Sequence, residues 1–372
     1  MSWEMVELGE VCEVVSGATP KREVAAYWGG DIDWVTPKDL TDLDGRFIDE
    51  APEKITEAGY KSCSTHMVPA GSVLLSSRAP IGHLAITRRP VCTNQGFKNF
   101  IPGPKVHAEY LYWALKRDVP KLQAMGTGST FKEISKAQVE KYKIPLPPLP
   151  EQRRIAAILD KAQALVANDK RTLAVYDQLA KSLFLEKIGD TISNPKGWPL
   201  YELQQLCDMR RGASPRPIDD YMGGTVPWIK IGDCTKGSSI YVDSTAEHVT
   251  EEGARRSVLL EPGALILANS GVSLGFARIT RIRGCVHDGW LALENIKEER
   301  IEKLFLLKVL NSITEYLRKK APEGTQPNLN TAMMKTFRIP VPPLQVQGAF
   351  SKTIEAIDAQ ALNATTSLHR SE

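Results

Sequence analysis

The chain has 372 residues, about twice the usual size of one domain, with 42% apolar residues and a formal net charge of +3, so two domains with ordinary cores are expected and total charge identifies no partner. No run of about eighteen apolar residues occurs, so no membrane-spanning helix is expected, and the opening MSWEMVELGE lacks the apolar stretch of a secretory leader. The six cysteines, Cys12, Cys63, Cys92, Cys207, Cys234 and Cys285, form no C-x-x-C pair, which speaks against a zinc ribbon and for free thiols in a reducing cytoplasm.

From the N terminus the chain runs through short segments rich in Val, Ile, Trp and Tyr, cut by Gly and Pro, which predict strands and turns. Trp3, Leu8 and Cys12 lead to Gly17-Ala18-Thr19-Pro20, and Asp33-Trp34-Val35 is followed by Asp39. Val73-Leu74-Leu75 reads as a buried strand, Gly82 to Ile86 and Cys92-Thr93-Asn94-Gln95-Gly96-Phe97 follow, and Tyr110 to Leu122 has the apolar spacing of a helix. After Ile144-Pro145-Leu146-Pro147-Pro148-Leu149 the texture changes: from Glu151 to about Ile188 there is neither Pro nor Gly. The apolar stripe is placed at Ile155, Ile158, Ala162, Leu165, Asp169, Thr172, Tyr176, Leu179 and Leu183, widened by Leu159, Val166, Leu173 and Phe184. This predicts a long helix with a coiled-coil seam, weakened in the middle by Asp169 and Thr172. Pro150 and Glu151 suit its first turn and Gly189 its end, and about 35 residues span roughly 50 Å.

Beyond the loop Ser193-Asn194-Pro195-Lys196-Gly197 the same landmarks return in the same order. Leu203 and Cys207 lead to Gly212-Ala213-Ser214-Pro215, an offset of 212 − 17 = 195. Trp228 with Asp233 answers Trp34 with Asp39, Leu265-Ile266-Leu267 answers the buried strand, and Gly275 to Ile279 answers Gly82 to Ile86. Cys285-Val286-His287-Asp288-Gly289-Trp290 answers Cys92 to Phe97, Ile301 to Leu317 reads as a helix, and Ile339-Pro340-Val341-Pro342-Pro343-Leu344 recurs at offset 195. Gln345 to about His369 then predicts a second helix with the stripe Phe350, Ile354, Ile357, Ala361 and Leu368. A match to the first helix would carry it to about residue 383, whereas the chain stops at Glu372. Two copies are too few for a solenoid. The expected fold is α+β: two homologous mixed α/β domains separated by two long helices that form an antiparallel coiled coil with a pseudo-two-fold relation.

Charge is distributed unevenly. No acidic residue lies between Glu57 and Glu109, where Lys61, Arg78, Arg88, Arg89, Lys98 and Lys105 all fall, nor between Glu261 and Asp288, which enclose Arg278, Arg281 and Arg283. A positive face on each domain is therefore expected, suited to nucleic acid.

Catalytic signatures are missing. There is no G-x-x-x-x-G-K-[ST] loop, no G-x-S-x-G elbow, no [DE]-x-K triplet and no [DN]-P-P-[YF] tetrapeptide, and the six histidines are scattered without ligand spacing. The expectation is a binding protein with no catalytic residue and no metal site.

With these residues in view, the chain resembles the specificity subunits of bacterial type I restriction-modification systems over essentially its whole length. The run Pro145-Leu146-Pro147-Pro148-Leu149-Pro150-Glu151-Gln152 opening a long helix is the most specific signal. Leu74 to Gly82 followed by Thr93 to Phe97, and Leu267 to Gly271 followed by His287-Asp288-Gly289, look like two types of target-recognition domain. The resemblance implies target-recognition domain 1 over 1–150, a central conserved helix over 151–190, target-recognition domain 2 over 191–344 and a C-terminal conserved helix over 345–372. It implies that each recognition domain reads one half of a bipartite site in double-stranded DNA while the helices set the spacer. It also implies docking of two methyltransferase subunits, with Glu151, Gln152, Arg153 and Arg154 as the docking residues, and the further joining of restriction-translocase subunits. S-adenosylmethionine, ATP and magnesium would be used by those partners and none bound by this chain, in the cytoplasm. In the second copy Val346-Gln347-Gly348-Ala349 replaces the charged docking residues. A protein-only scaffold, or a fragment of a fused methyltransferase-nuclease, are the alternatives.

Base reading calls for side chains that make two hydrogen bonds to one base edge, Arg for guanine and Asn or Gln for adenine. Loops after the buried strands supply Arg78, Asn94, Gln95 and Lys98 in the first copy, and Asn269, Ser270, Arg278 and His287 in the second. Asn and Ser beside Gly also cap turns, which is the competing role. Ser129, Thr130 and Lys132, and Thr325, Gln326 and Asn328, lie in a second pair of loops suited to phosphates and groove edges or simply to turns. Lys21, Arg22 and Arg216 sit in a third pair, expected to touch phosphate. Trp34 and Trp228 are expected in the core rather than as stacking platforms.

Overall fold

Short apolar runs build one five-stranded sheet in each half of the chain. The structure is a computed structural model that describes residues 3–43, 45–78, 80–128, 132–234, 240–320 and 328–371. In the first half the strand order is Cys12–Ser16, Phe97–Pro102, Val73–Ser76, Leu84–Thr87, Phe47–Ile48. The last pair is parallel and the others antiparallel. In the second half the order is Asp208–Arg211, Trp290–Glu294, Leu265–Ala268, Ala277–Thr280, Tyr241–Val242, again with only the last pair parallel. A smaller sheet accompanies each, centred on Trp28–Val35 and on Met222–Ile229.

Successive strand residues point to opposite faces, and here both faces are covered. Val73 and Leu75 face Leu111 and Leu115 of the helix Ala108–Arg117, while Leu74 packs with Val15, Val35 and Phe97. The second half repeats this: Leu265 and Leu267 join Phe305, Leu306 and Leu310 of the helix Lys303–Ser312, and Ile266 and Ala268 join Ile229 and Trp290. Each of the two helices expected between sheet and proline run is broken in two, at Asp118 and at Ile313. Pro120 explains the first break, since it lacks the N–H that a continuous helix would use. Trp34 is 1% exposed and Trp228 7%, so both are core residues.

The chain divides into two compact units, Met1–Ala167 and Asn168–Glu372, with the division inside the central helix Leu149–Lys187. That helix has 39 residues, about 58 Å at 1.5 Å per residue. It begins two residues before Glu151 and ends at Lys187, two residues before Gly189, whose φ of +92° is the left-handed conformation that glycine adopts just past helix ends. Its half-buried stripe is Ile155, Leu159, Ala162, Val166, Asp169, Leu173, Tyr176, Ala180 and Leu183. This corrects the expected register, because Ile158, Leu165 and Leu179 are 52%, 58% and 48% exposed. An alternation of three and four can start with either step. The two choices share every seventh residue and differ by one position in between. The C-terminal helix Leu344–Ser371 buries the expected Phe350, Ile354 and Ile357. Within the second unit Phe350 meets Phe184 and Phe305 edge-on, with centroids 5.7 and 6.0 Å apart.

Gln152 corrects a docking expectation. It is fully buried, so it presents nothing to a partner: its Oε1 accepts from His107 N at 2.8 Å and its Nε2 donates to the carbonyls of Lys105 and Pro147 at 2.9 and 2.8 Å. Gln347, 195 positions on, is equally buried and does the same with Glu302 N, Arg300 O and Pro342 O at 2.9, 2.9 and 2.7 Å. One amide thus ties each long helix to the loop before the helix Ala108–Arg117 or Lys303–Ser312 and to the proline run.

Candidate nucleic-acid interface

The matched loops converge in both units. In the first, Ala18 N donates to Thr93 O at 3.0 Å, Ser77 N to Gly96 O at 2.7 Å and Ile134 N to Ser77 O at 3.0 Å. These bonds gather the 17–20, 76–78, 93–97 and 132–134 segments. In the second unit, Ala213 N donates to Val286 O at 3.1 Å, Asn269 N to Gly289 O at 2.9 Å and Leu329 N to Asn269 O at 2.8 Å. An isolated bridge links Arg78 with Glu133 in one unit and Ser270 with Asn328 in the other. Ser77 and Asn269 are thereby equivalent, as are Glu133 and Asn328.

Within the first cluster, Gln95 is exposed and its Oε1 receives the Thr19 hydroxyl. Asn94 Oδ1 accepts from Gly96 N at 2.8 Å, the turn-capping role that competed with base reading. Arg78 is 36% exposed and faces Glu133 at 3.6 Å. Arg22 is 53% exposed, paired with Glu53, and stacks over Trp28 and Trp34 at 4.0 and 4.8 Å from the ring centroids. Lys21 and Lys132 are exposed. Lys98 must be reassigned. It is 5% exposed and donates to Ser77 Oγ and Glu133 Oε1 at 3.2 and 3.3 Å, so it stands behind the surface as an internal cation.

Arg278 is likewise corrected. It is 8% exposed, donates to the carbonyls of Cys234 and Ala277 at 3.2 and 2.9 Å, and burial pulls its pKa down. Arg216 is exposed. His287 Nδ1 accepts from Gly289 N at 2.6 Å, and Ile231 N approaches its Nε2 at 3.5 Å. Burial lowers its pKa from 6.5. Asp288 accepts from the Ser214 hydroxyl at 2.7 Å, which holds its carboxyl below the usual range. Asn269 is 1% exposed, and among the described residues neither atom of its amide has a hydrogen-bond partner, nor does Asn328 Oδ1. Ser270 borders them at the surface, half-buried. Ser129, Thr130, Thr325 and Gln326 lie outside the described residues.

A folded-state pKa lowered by burial means that the unfolded chain binds more protons just below the ordinary value. Stability should therefore fall as pH drops below about 6.5. Denaturant titrations at pH 7 and pH 5.5 should show this fall in the unchanged chain and a smaller one in His287→Asn. Equal falls in both would remove His287 as its source.

The acid-free windows do not make bare positive faces, because the fold brings acids to them from elsewhere. Arg88 pairs with Asp49 at 3.3 Å, Arg89 with Glu50 at 3.1 Å, Arg281 with Asp243 at 3.4 Å and Arg283 with Glu261 at 3.2 Å. Such exposed pairs are weak and open to exchange with another anion. Sequence reasoning missed Glu133 and the helix-tying role of Gln152 and Gln347. For Gln152 and Gln347 a signal existed, since this glutamine survives in both copies while its charged neighbours do not.

On the central helix, Glu151 and Arg154 form an exposed pair at 2.8 Å and Arg153 is exposed. No described helix is long and apolar enough to cross a membrane.

Comparison with known proteins follows the duplication. A family model described as the type I restriction modification DNA specificity domain matches residues 1–175 and again 195–368. The specificity subunit of the type I restriction enzyme MjaIX of Methanocaldococcus jannaschii is 28% identical, over 97% of this chain and 88% of its own. The MjaVIII specificity subunit of the same organism is 23% identical over 96% and 86%. The EcoR124I/EcoR124II specificity subunit of Escherichia coli is 32% identical over 44% of this chain and 41% of its own. Among solved structures, the type I restriction-modification S subunit from M. genitalium superposes with a TM-score of 0.63 at 15% identity, covering 99% of this chain and 92% of that one.

Proposed function

The chain belongs to the type I restriction-modification DNA specificity family, and from that premise we propose that each unit reads one half of a two-part DNA site through its converged loops. The chain is the sequence-reading, non-catalytic member of a complex with methyltransferase and restriction subunits. The scaffold and fused-enzyme alternatives give way to it. The observation that carries the proposal is the repetition of one loop framework in both units, with polar side chains that differ between them. A shared framework with different polar tips suits one docking mode and two base sequences.

In this reading Arg22, Lys21, Lys132 and Arg216 meet phosphate, and Arg78, Gln95, Ser270 and Asn328 meet base edges, while Asn269, 1% exposed, lies behind Ser270 rather than at the surface. Glu151, Arg153 and Arg154, at the start of the central helix, serve methyltransferase docking. S-adenosylmethionine, ATP and magnesium are used by the partner subunits, and the complex works in the cytoplasm. The helices set the gap between half-sites.

Mapping methylated adenines in cells that express the chain with its methyltransferase tests this. A two-part motif with a fixed gap, lost when only this chain is deleted, is expected. Four residues added to the central helix lengthen it by about 6 Å, close to two base pairs of DNA at about 3.4 Å each. The gap should widen accordingly. An insertion variant that methylates with an unchanged gap would remove the spacing role, and an unchanged methylome on deletion would remove the function.

A further inference from the structure

Glu133 stands between two cations of the first unit. Its Oε1 receives Lys98 Nζ at 3.3 Å and its Oε2 faces Arg78 Nη1 at 3.6 Å. The Lys98 ammonium is buried and needs acceptors, so together with Ser77 Oγ it fixes where Glu133 points. The backbone fixes Glu133 as well, through reciprocal bonds with Thr127 at 2.9 and 3.0 Å. Arg78 differs from Lys98 in being 36% exposed. At 3.6 Å its ion pair is longer than a hydrogen bond, and among the described residues none of its guanidinium donors is hydrogen-bonded. The carboxylate orients the fork without occupying it.

The second unit keeps the backbone frame and drops every one of these charges. Ser270 takes the place of Arg78 and Asn328 that of Glu133, each pair joined by the same bridge. Leu291 takes the place of Lys98, since Lys98 pairs with Leu75 as Leu291 pairs with Leu267. A buried cation, a divided carboxylate and a free fork are thus a device of the first unit alone.

Resting on the DNA-reading role above, we propose that Arg78 reads a guanine in the first unit's half-site, with Lys98 and Glu133 as its positioning residues. The planar fork matches guanine O6 and N7 in the major groove with two parallel donors on separate nitrogens, a geometry that the single, flexible ammonium of lysine meets less well. The second unit reads no guanine through the matched position.

The test uses the full chain with its methyltransferase, mapping the methylated motif and measuring affinity for matched, singly substituted and unrelated duplexes. The unchanged complex should require G·C at one pair of the first half-site. Arg78→Ala should reduce discrimination at that pair alone by roughly ten- to a hundred-fold, with the second half-site and the gap intact as proof of folding. Arg78→Lys should fall between the unchanged complex and Arg78→Ala. Glu133→Gln should weaken discrimination at the same pair while raising affinity for unrelated duplex, because one negative charge has gone. A merely structural role would not give those opposite signs. Full discrimination in Arg78→Ala would overturn the inference and leave the DNA-reading role standing. A wild-type complex with no two-part motif would overturn that role and the inference with it.

Discussion

Gln152→Ala should destabilise the first unit by about 3 kcal/mol, and Gln347→Ala the second by a similar amount. Both side chains are fully buried, and each closes three hydrogen bonds between a long helix, the proline run before it and the loop that leads into a domain helix. Alanine leaves one N–H and two carbonyls without their partner in a place that water does not reach, and the lost desolvation offset exceeds the modest net value of the bonds themselves. The cavity left by the amide adds to the effect. Glutamate would accept from the loop N–H but could not donate to the two carbonyls, so Gln152→Glu should be no milder than alanine. Urea unfolding followed by circular dichroism measures this. A loss under 1 kcal/mol in both alanine variants would show that the amide is not what holds helix to domain.

The equal treatment of the two glutamines shows what was legible in the sequence. The offset of 195 between the proline runs revealed the duplication, and with it the order of domains and helices, because covalent spacing is preserved when a unit is copied. Strands were legible where apolar runs were short, as at Val73-Leu74-Leu75. The helix register was not, since Leu159 and Ile158 are equally apolar and only packing separates them. The site was harder still. Lys98 and Arg278 lie in strands buried on both faces, and a one-dimensional pattern does not reveal that a cation there has Ser77 and Glu133, or backbone carbonyls, waiting for it. Charge windows misled for the same reason: Asp49 and Arg88 are 39 residues apart in sequence and paired in space.

Gly212→Ala should disable the second half-site while sparing the first, and Gly17→Ala should do the reverse. A Cβ on Gly212 would sit 2.1 Å from His287 O and 2.7 Å from Val286 O, and one on Gly17 would sit 2.1 Å from Asn94 O and 2.3 Å from Thr93 O. These are backbone atoms at or just beyond the ends of the strands Gly284–Val286 and Cys92–Thr93, and they cannot swing aside as a flexible side chain would. The 212–214 arm must therefore retreat, losing the bonds from Gly212 N to Trp290 O at 2.8 Å, Ala213 N to Val286 O at 3.1 Å and Ser214 Oγ to Asp288 at 2.7 Å. Three broken bonds and a displaced turn place Gly212→Ala at the severe end of single substitutions, about 3 kcal/mol or more within its own unit, and Gly17→Ala acts in the same way on the bonds from Ala18 N to Thr93 O at 3.0 Å and from the Thr19 hydroxyl to Gln95. Asp288 would lose the Ser214 hydroxyl that holds its carboxyl below the usual range, and the loop that carries His287 would lose its brace. Binding to duplexes that carry only one intact half-site separates the two effects. Gly212→Ala should retain the dependence on the first half and lose that on the second, with Gly17→Ala as its mirror. Such a crossed pattern cannot come from general unfolding, which would take both halves together. If either variant kept both dependences, the glycine arm would be scaffolding remote from the DNA, and the interface would have to be drawn without it.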